Sequence, residues 1–259
     1  MIKNNINTKI IGNNIIYYDE VDSTNSIAWD IALNNKNCEG TVVIANTQKS
    51  GKGRGKNIWF SPPCTGLWMS VLLQPKLNPI HASKFTMLAS LAVADALRNV
   101  ANVTPVLKWP NDVLINSKKI SGILTEMKNE TDIINFLVIG IGVNVNIVEF
   151  PSELRNTATS LMIETNKEIS RDELLQHLLI EMDKLYLSFQ SDGFLPIRDK
   201  WQEYSDIDGK FVKIKNFPGN GNSEIFQGQA IGIDEDGLLI VRTDTGIQKK
   251  VQSGEVTIL

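Results

Sequence analysis

The 259-residue chain predicts an α+β fold: a mixed β-sheet flanked by helices, followed by a small all-β unit. Three observations predict it. Between Ile15 and Val145, apolar β-type runs bounded by turn residues alternate with helix-periodic segments. A long amphipathic helix pattern with its own start signal covers about 171–190. From Gly209 onward the pattern changes to short alternating strands separated by Gly- and Asp-containing turns. The expected division is 1–208 and 209–259.

Ile15 to Asp19 reads as a short strand, and Asp22-Ser23-Thr24-Asn25 offers capping side chains for a helix over about 26–33. Thr41–Thr47 and Gly66–Leu73 are strands entering and leaving a glycine-rich basic loop. Asn78-Pro79 opens a helix to about Val100, with Phe85, Leu88, Ala92 and Ala96 at helical spacing. Few positions between 85 and 97 are polar, so this helix is expected to be buried on most sides. Val106–Lys108 is a strand. Val113–Ile115 and Ile120–Met127 form a hairpin across the polar turn Asn116-Ser117-Lys118. Ile133–Val145 is a long apolar strand broken by Gly140 and Gly142, which mark a bulge or a close approach. The segment through Thr157–Ser160 reads as loop. Ser170-Arg171-Asp172-Glu173 is a capping box whose helix presents Leu174, Leu178, Met182, Leu185 and Phe189 to the core. A shorter helix covers about 195–204. The C-terminal strands 211–215, 226–233, 238–242 and 248–259 fit an SH3-like barrel.

The most distinctive stretch is Gln48–Trp59, QKSGKGRGKNIW, in which Lys52, Arg54 and Lys56 alternate with Gly51, Gly53 and Gly55. Glycines let backbone approach a ligand, and interleaved cations neutralise phosphate or carboxylate oxygens, arginine with two parallel hydrogen bonds. The loop suits a small, strongly anionic ligand and is expected to be mobile when empty. It is not a P-loop: Gly51 and Gly55 are one residue too close, and Asn57 follows Lys56. It is not a Rossmann fingerprint either, because Lys56 stands where the third glycine belongs. A solvated hairpin tip or a nucleic-acid-binding loop are the competing readings.

Other constellations add to it. Ser23, Thr24 and Asn25 at a strand–helix junction can cap the helix or bind a polar ring such as a ureido group, which both donates and accepts. Lys108-Trp109-Pro110-Asn111-Asp112 brings together a cation, an aromatic plane, an amide and a carboxylate. Asp112 is either a turn aspartate or a ligand for hydrated Mg²⁺ of the kind that escorts nucleotide phosphates. Lys119 reads as an edge-strand lysine or a further cation for the site. Asn144, after Gly140 and Gly142, suits a purine edge or a strand end.

Composition narrows the classes. Apolar residues make up 42% and charged residues 21%, with net charge −3, which fits a globular protein with a real core. A dedicated nucleic-acid binder is usually basic, so the positive charge here is local. Cys38 and Cys64 are isolated and His81 and His177 lie far apart, so neither a thiol–imidazole metal site nor a Ser–His–Asp triad is supported. The start, MIKNNINTKI, has no apolar core of a signal peptide, and no run of about 18 apolar residues occurs. A cytoplasmic protein with reduced thiols and no membrane partner is expected.

DSTN at 22–25, GKGRGKNIW at 51–59, KWPND at 108–112, KKISG at 118–122 and GIGVNVN at 140–146 occur in the order seen in biotin–protein ligases, and the chain resembles that family over nearly its whole length after about Tyr17. The resemblance implies a class II synthetase-like catalytic domain with an SH3-like C-terminal domain. It implies that biotin and ATP form biotinyl-5′-adenylate and pyrophosphate, with Mg²⁺. A lysine of the biotin carboxyl carrier protein of a biotin-dependent carboxylase then attacks. By the same resemblance, Ser23, Thr24, Asn25 and Gln48 meet the ureido end, with Gly51 and Gly122 also in the biotin site. Lys52, Gly53 and Arg54 face the biotin carboxylate and the α-phosphate, and Lys119 holds the carboxylate and bridging oxygens. Arg54 and Lys119 are thus the implied catalytic residues. Lys108, Asn111, Trp59, Asn144 and Lys249 fall to ATP, and Asp112 to Mg²⁺. The loop departs from the family's common form: Lys52 replaces its first arginine, Lys56 its third glycine and Asn57 its last arginine. About twenty residues precede DSTN, too few for the DNA-binding helix-turn-helix of many members, so no DNA binding is expected; a homodimer is left open. The competing functions are lipoate–protein ligase and a nucleic-acid-binding module using the basic loop.

Overall fold

The computed structural model describes residues 6–216 and 224–259. The first five residues of the MIKNNINTKI segment lie outside them. The larger sheet contains β1 (Asn14–Val21), β2 (Thr41–Gln48), β3 (Gly66–Leu73), β4 (Val106–Lys108), β5 (Asp112–Ile115), β6 (Lys118–Glu130) and β7 (Ile133–Asn144). Their order is β1-β2-β3-β7-β6-β5-β4; β1 and β2 are parallel and the other neighbours antiparallel. The helices are α1 (Thr24–Asn34), α2 (Ala82–Ala101), α3 (Leu161–Thr165), α4 (Arg171–Asp192) and α5 (Leu195–Tyr204).

Side chains alternate across each strand, and here both sheet faces are covered. Met69, Val71 and Leu73 of β3, with Ile139 and Ile141 of β7, join α2 and α4 in the main core. Leu72 and Val138 point the other way and pack with Ala28 of α1. That burial on both faces explains why β3 and most of β7 read as continuous apolar runs rather than alternating ones. The β5–β6 connection has Asn116 at φ 49° and Ser117 at φ 65°, the two positive φ values of a tight hairpin turn. Asn78 does accept a hydrogen bond from Ile80 N (3.1 Å), but it caps a 3-10 turn, Pro79–His81, that precedes α2. Ser170 Oγ accepts from Glu173 N at 3.2 Å, as the capping pattern predicts. Buried Asp183 of α4 accepts the backbone N–H groups of Lys9, Ile10 and Ile11 at 2.8–2.9 Å, fixing the incoming chain.

One expectation needs correction. α1 begins at Thr24, and Ser23 at its N-cap makes no side-chain capping bond; its backbone carbonyl serves Ser26 and Ile27 instead. Residues 157–160 are outside helix and strand, as read; α3 follows directly, a helix too short to show a period in the sequence.

The C-terminal sheet contains β8 (Phe211–Asn216), β9 (Glu224–Ile233), β10 (Leu239–Arg242), β11 (Gln248–Val251) and β12 (Gly254–Ile258), antiparallel throughout, in the order β11-β10-β9-β8-β12. The single strand expected over 248–259 is two, broken at Gln252-Ser253. Among the described residues the end strands β11 and β12 do not pair with each other, so hydrogen bonds do not close the barrel. The β9–β10 turn docks on the larger unit. Trp109 Nε1 donates to Gly237 O (3.2 Å), Ser83 Oγ to Asp236 O (3.2 Å), and Lys84 pairs with Asp236 (3.0 Å). Trp109 is only 2% exposed. It is therefore a joint between the two units and not an aromatic plane open to ligand. Among the described residues, no helix is long and apolar enough to cross a membrane.

Candidate active site

On the α1 side of the sheet, a cleft of about 1010 Å³ runs over β3, β7 and β6, under the basic loop. Glycine makes room for it. A Cβ at Gly140 would stand 2.2 Å from Asn25 Oδ1, and one at Gly142 would stand 2.2 Å from Trp59 Nε1. The glycine interruption of the apolar run is therefore a close approach: the amide of Asn25 and the indole of Trp59 lie directly on the sheet.

One end of the cleft is a network of neutral polar groups. Gln48 Oε1 accepts from Thr24 N (2.8 Å) and lies 3.2 Å from Thr24 Oγ1, while Gln48 Nε2 donates to Ser61 Oγ (2.9 Å). Ser70 Oγ lies 2.8 Å from Thr24 Oγ1 and 2.6 Å from Asn25 Oδ1. Asn25 Nδ2 donates to Glu126 Oε2 at 2.7 Å, and Lys52 Nζ stands 3.6 Å from Glu126 Oε1. Ser23, Thr24 and Asn25 are all buried.

The other end is cationic. Lys119 Nζ pairs with Asp112 Oδ1 at 2.6 Å and sits 5.2 Å from the centre of the Trp59 ring. The hairpin register brings them together: a bulge between Val113 and Leu114 sets Lys119 opposite Leu114, while Asp112 faces Gly122. Lys119 is also held by its backbone, which exchanges hydrogen bonds with Thr157 O (2.8 Å) and Thr159 N (2.9 Å). Arg54 Nη1 donates to Asn111 Oδ1 (3.3 Å) and Gly254 O (3.0 Å), and Nη2 to Ser253 Oγ (3.3 Å). Burial pushes the Arg54 guanidinium down from its ordinary value, against the pull of Asp112 and Glu255. It stays charged, since arginine starts so high. Asn111 Nδ2 is fixed on Ile123 O (2.8 Å). The loop expected to be mobile has bonds of its own: Gly53 N to Asn57 O (2.8 Å) and a bridge between Lys52 and Ile58.

Ser23, Thr24, Asn25, Gln48, Lys52, Gly53, Arg54, Trp59, Lys108, Asn111, Asp112, Lys119, Gly122 and Asn144 all line this cleft. Two predicted residues do not. Gly51 lies behind the wall, where its carbonyl accepts from Trp59 N (2.7 Å) and a Cβ would meet Trp59 O at 2.5 Å. Lys249 is drawn away by its strand register to Glu224, with Nζ 4.6 Å from the Phe226 ring centre. The C-terminal unit reaches the cleft instead through Ser253 and Glu255. Asn144 is in place, and its Nδ2 donates to Thr159 O (3.0 Å), which fixes the orientation of its amide.

Sequence reasoning also missed Phe150, Leu154 and Ala158, the apolar wall beside Trp59, because they sit in irregular chain without a period. Ser70 and Glu126 were missed too. Their signals were present: Ser70 is the one hydroxyl in the apolar run GLWMSVLL, and Glu126 shares a strand face with Gly122 two steps away.

As for metal, the described residues contain no group of three or more His, Cys, Asp or Glu side chains able to hold an ion. Of the carboxylates that line the cleft, Asp112 is shared with Lys119, and Glu255 enters from the C-terminal unit.

Comparison with known proteins agrees with this geometry. Residues 17–144 match the Biotin/lipoate A/B protein ligase family, and residues 216–259 match the Biotin protein ligase C terminal domain. The chain is 38% identical over 259 residues to the Bifunctional ligase/repressor BirA of Bacillus subtilis (strain 168), covering 99% of this chain and 78% of that protein. It is 29% identical over 233 residues to the Biotin--[acetyl-CoA-carboxylase] ligase of Paracoccus denitrificans, covering 88% and 93%. A biotin protein ligase from Aquifex aeolicus, solved in complex with biotin and ATP, superposes with a TM-score of 0.80 at 30% identity, covering 95% of this chain and 99% of that one. With matching models in both units, a relative above 30% identity along the whole chain and a cleft of this construction, the chain belongs to the biotin protein ligase family.

Proposed function

We propose that the cleft activates biotin with ATP to biotinyl-5′-adenylate and pyrophosphate, and then passes the biotinyl group to a lysine of a carrier protein. The observation that carries this reading is the pairing of a neutral donor–acceptor network with a cationic cluster at opposite ends of one cleft. The network of Thr24, Asn25 and Gln48 suits a ureido ring, which both donates and accepts. Lipoate would place an apolar dithiolane there and leave those buried groups unpaired, which discriminates strongly. The wall formed by Trp59, Phe150, Leu154 and Ala158 suits a purine.

The chemistry joins two anions. A biotin carboxylate oxygen attacks the α-phosphorus of ATP, the bond to the β-phosphate oxygen breaks, and pyrophosphate leaves. No side-chain nucleophile is required. The protein's work is to hold the two reactants in line and to neutralise charge. Lys119, released from Asp112, supports the carboxylate and the transferring phosphate; Lys52 and Arg54 cover them from the loop, and Lys108 and Asn111 border the phosphates. Mg²⁺ would neutralise phosphate charge; one protein carboxylate, Asp112, is enough for an ion that arrives on phosphates and keeps several waters. In the second step a neutral lysine amine of the carrier attacks the carbonyl carbon, AMP leaves, and an amide forms. We assign the cleft to a ligase unit over 1–208, with 209–259 as the unit that anchors the loop through Ser253 and Gly254. An ATP-supplied, reducing cytoplasm is the matching compartment, and DNA has no part in this reading.

The test is intact-mass measurement of an unmodified biotin carboxyl carrier domain incubated with the chain and MgATP. Addition of one biotinyl group with biotin, and no adduct with lipoate, is the expected result. A lipoyl adduct without a biotinyl one would reassign the chain to the lipoate branch.

A further inference from the structure

Glu126 lies outside every motif in the sequence, yet it sits at the head of the polar network. Its carboxylate can only accept hydrogen bonds. It therefore sets which way the Asn25 amide points: Nδ2 donates to Glu126 at 2.7 Å, with a longer contact to Leu124 O (3.4 Å), and Oδ1 is turned toward Ser70. An amide oxygen can only accept, so the single Ser70 hydroxyl proton is committed to Asn25 across 2.6 Å. Two short contacts remain, Thr24 Oγ1 to Ser70 Oγ (2.8 Å) and Thr24 Oγ1 to Gln48 Oε1 (3.2 Å). Only one proton, that of Thr24, is left to serve both. Gln48 cannot relieve this by turning over, because its Oε1 accepts from Thr24 N at 2.8 Å and its Nε2 donates to Ser61. The network is thus one donor short, and the shortfall lies at Thr24 and Gln48, on the cleft wall.

We infer that Glu126 is a positioning residue for the proposed reaction: by imposing one hydrogen-bond direction on Asn25, Ser70 and Thr24, it leaves an acceptor at the cleft wall that calls for an N–H donor on the ligand. Lys52, 3.6 Å away, compensates its charge. This rests on the reading of the cleft as a biotin site, where a ureido N–H is that donor.

The inference has an unusual consequence for the isosteric change Glu126→Gln. An amide at this position can donate to Asn25 Oδ1, so the Asn25 amide can turn over. Asn25 then donates to Ser70, Ser70 to Thr24, and Thr24 to Gln48, and the one contact given up is the long one from Asn25 Nδ2 to Leu124 O (3.4 Å). The network becomes self-satisfied and the acceptor for the ligand disappears. Glu126→Gln should therefore fold as stably as the parent or more so, while KM for biotin in pyrophosphate release rises about three- to tenfold, the range one hydrogen bond supplies. KM for ATP should rise less than KM for biotin, since Lys119, Arg54 and Lys108 are untouched and only Lys52 loses a partner. Parent and variant are compared by thermal unfolding and by steady-state pyrophosphate release. A marked fall in melting temperature, an unchanged KM for biotin, or an equal rise in both KM values would overturn the inference. A parent chain that releases no pyrophosphate with biotin would instead refute the biotin reading, so the two failures are distinguishable.

Discussion

At the scale of single residues, Lys119 is a cation placed by both its side chain and its backbone. Its pairing with Asp112 sets it at the cationic end, and its hydrogen bonds with Thr157 and Thr159 fix where the chain carries it. Lys119→Ala should leave the fold within about 0.5 kcal/mol, as for partly exposed side chains away from the core. It should remove about 2.7–4 kcal/mol of barrier lowering, by analogy with loss of one oxyanion donor. Single-turnover adenylation measured against thermal stability separates the two; near-parental turnover would take Lys119 out of the chemistry. Gly142 is the complementary case, where function requires that a side chain be absent. Gly142→Ala puts a methyl group 2.2 Å from Trp59 Nε1, so the indole must lift off the sheet, at a cost of about 1–3 kcal/mol typical of overpacking. Affinity for ATP should fall more than affinity for biotin in equilibrium titrations; unchanged ATP binding would show that the indole does not form the purine wall.

At the scale of elements, the basic loop matters less for its three cations than for where Arg54 is tied. Its guanidinium is bound to Asn111 and to Ser253 and Gly254, so the loop, the β4–β5 corner and the C-terminal sheet meet on one side chain. Hydrogen bonds to a charged group are each worth about 1.5–3 kcal/mol. Arg54→Gly removes those ties and adds chain freedom. Adenylate should still form, since Lys119 remains, but its release into excess unlabelled biotin and ATP should quicken by about tenfold or more; release at the parental rate would show that Arg54 is not the latch. The β9–β10 turn is the matching anchor from the other unit. Burial raises the pKa of Asp234, but the ion pair with Lys250 (2.8 Å) and the N–H groups of Leu238 and Asp236 outweigh it and hold the carboxyl below its ordinary value. A depressed folded pKa gives stability that is complete above the unfolded value of about 3.9 and is lost as pH falls through the folded value. Asp234→Asn should therefore unfold more easily at neutral pH and lose less on acidification below about pH 4. Equal acid sensitivity in both would remove Asp234 from that role.

For the whole molecule, what could be read from sequence followed the range of the forces involved. Strands β2, β3 and β7 and helices α2 and α4 announce themselves because burial imposes a period or a run on consecutive residues. The GKGRGKNIW and KWPND segments were legible because close backbone approach and charge neutralisation demand particular residue types locally. What stayed hidden depends on register and on the meeting of distant segments. Ser70 and Glu126 matter only because β3, β6 and α1 converge on Asn25. Ser253 replaces Lys249 at the cleft because β11 and β12 divide one residue earlier, at Gln252. Trp109, the aromatic plane of the KWPND segment, is the joint to the C-terminal unit, a role visible only once Gly237 is seen against it. The proposal for the molecule as a whole is that both units close one cleft around two anions, with a neutral ring recognised at the far end. Pyrophosphate release from MgATP by the purified chain, without any carrier protein, tests it most directly. Release that depends on biotin, is absent with lipoate and is no greater with nucleic acid is the predicted result; release driven by lipoate, or none with biotin, would contradict it.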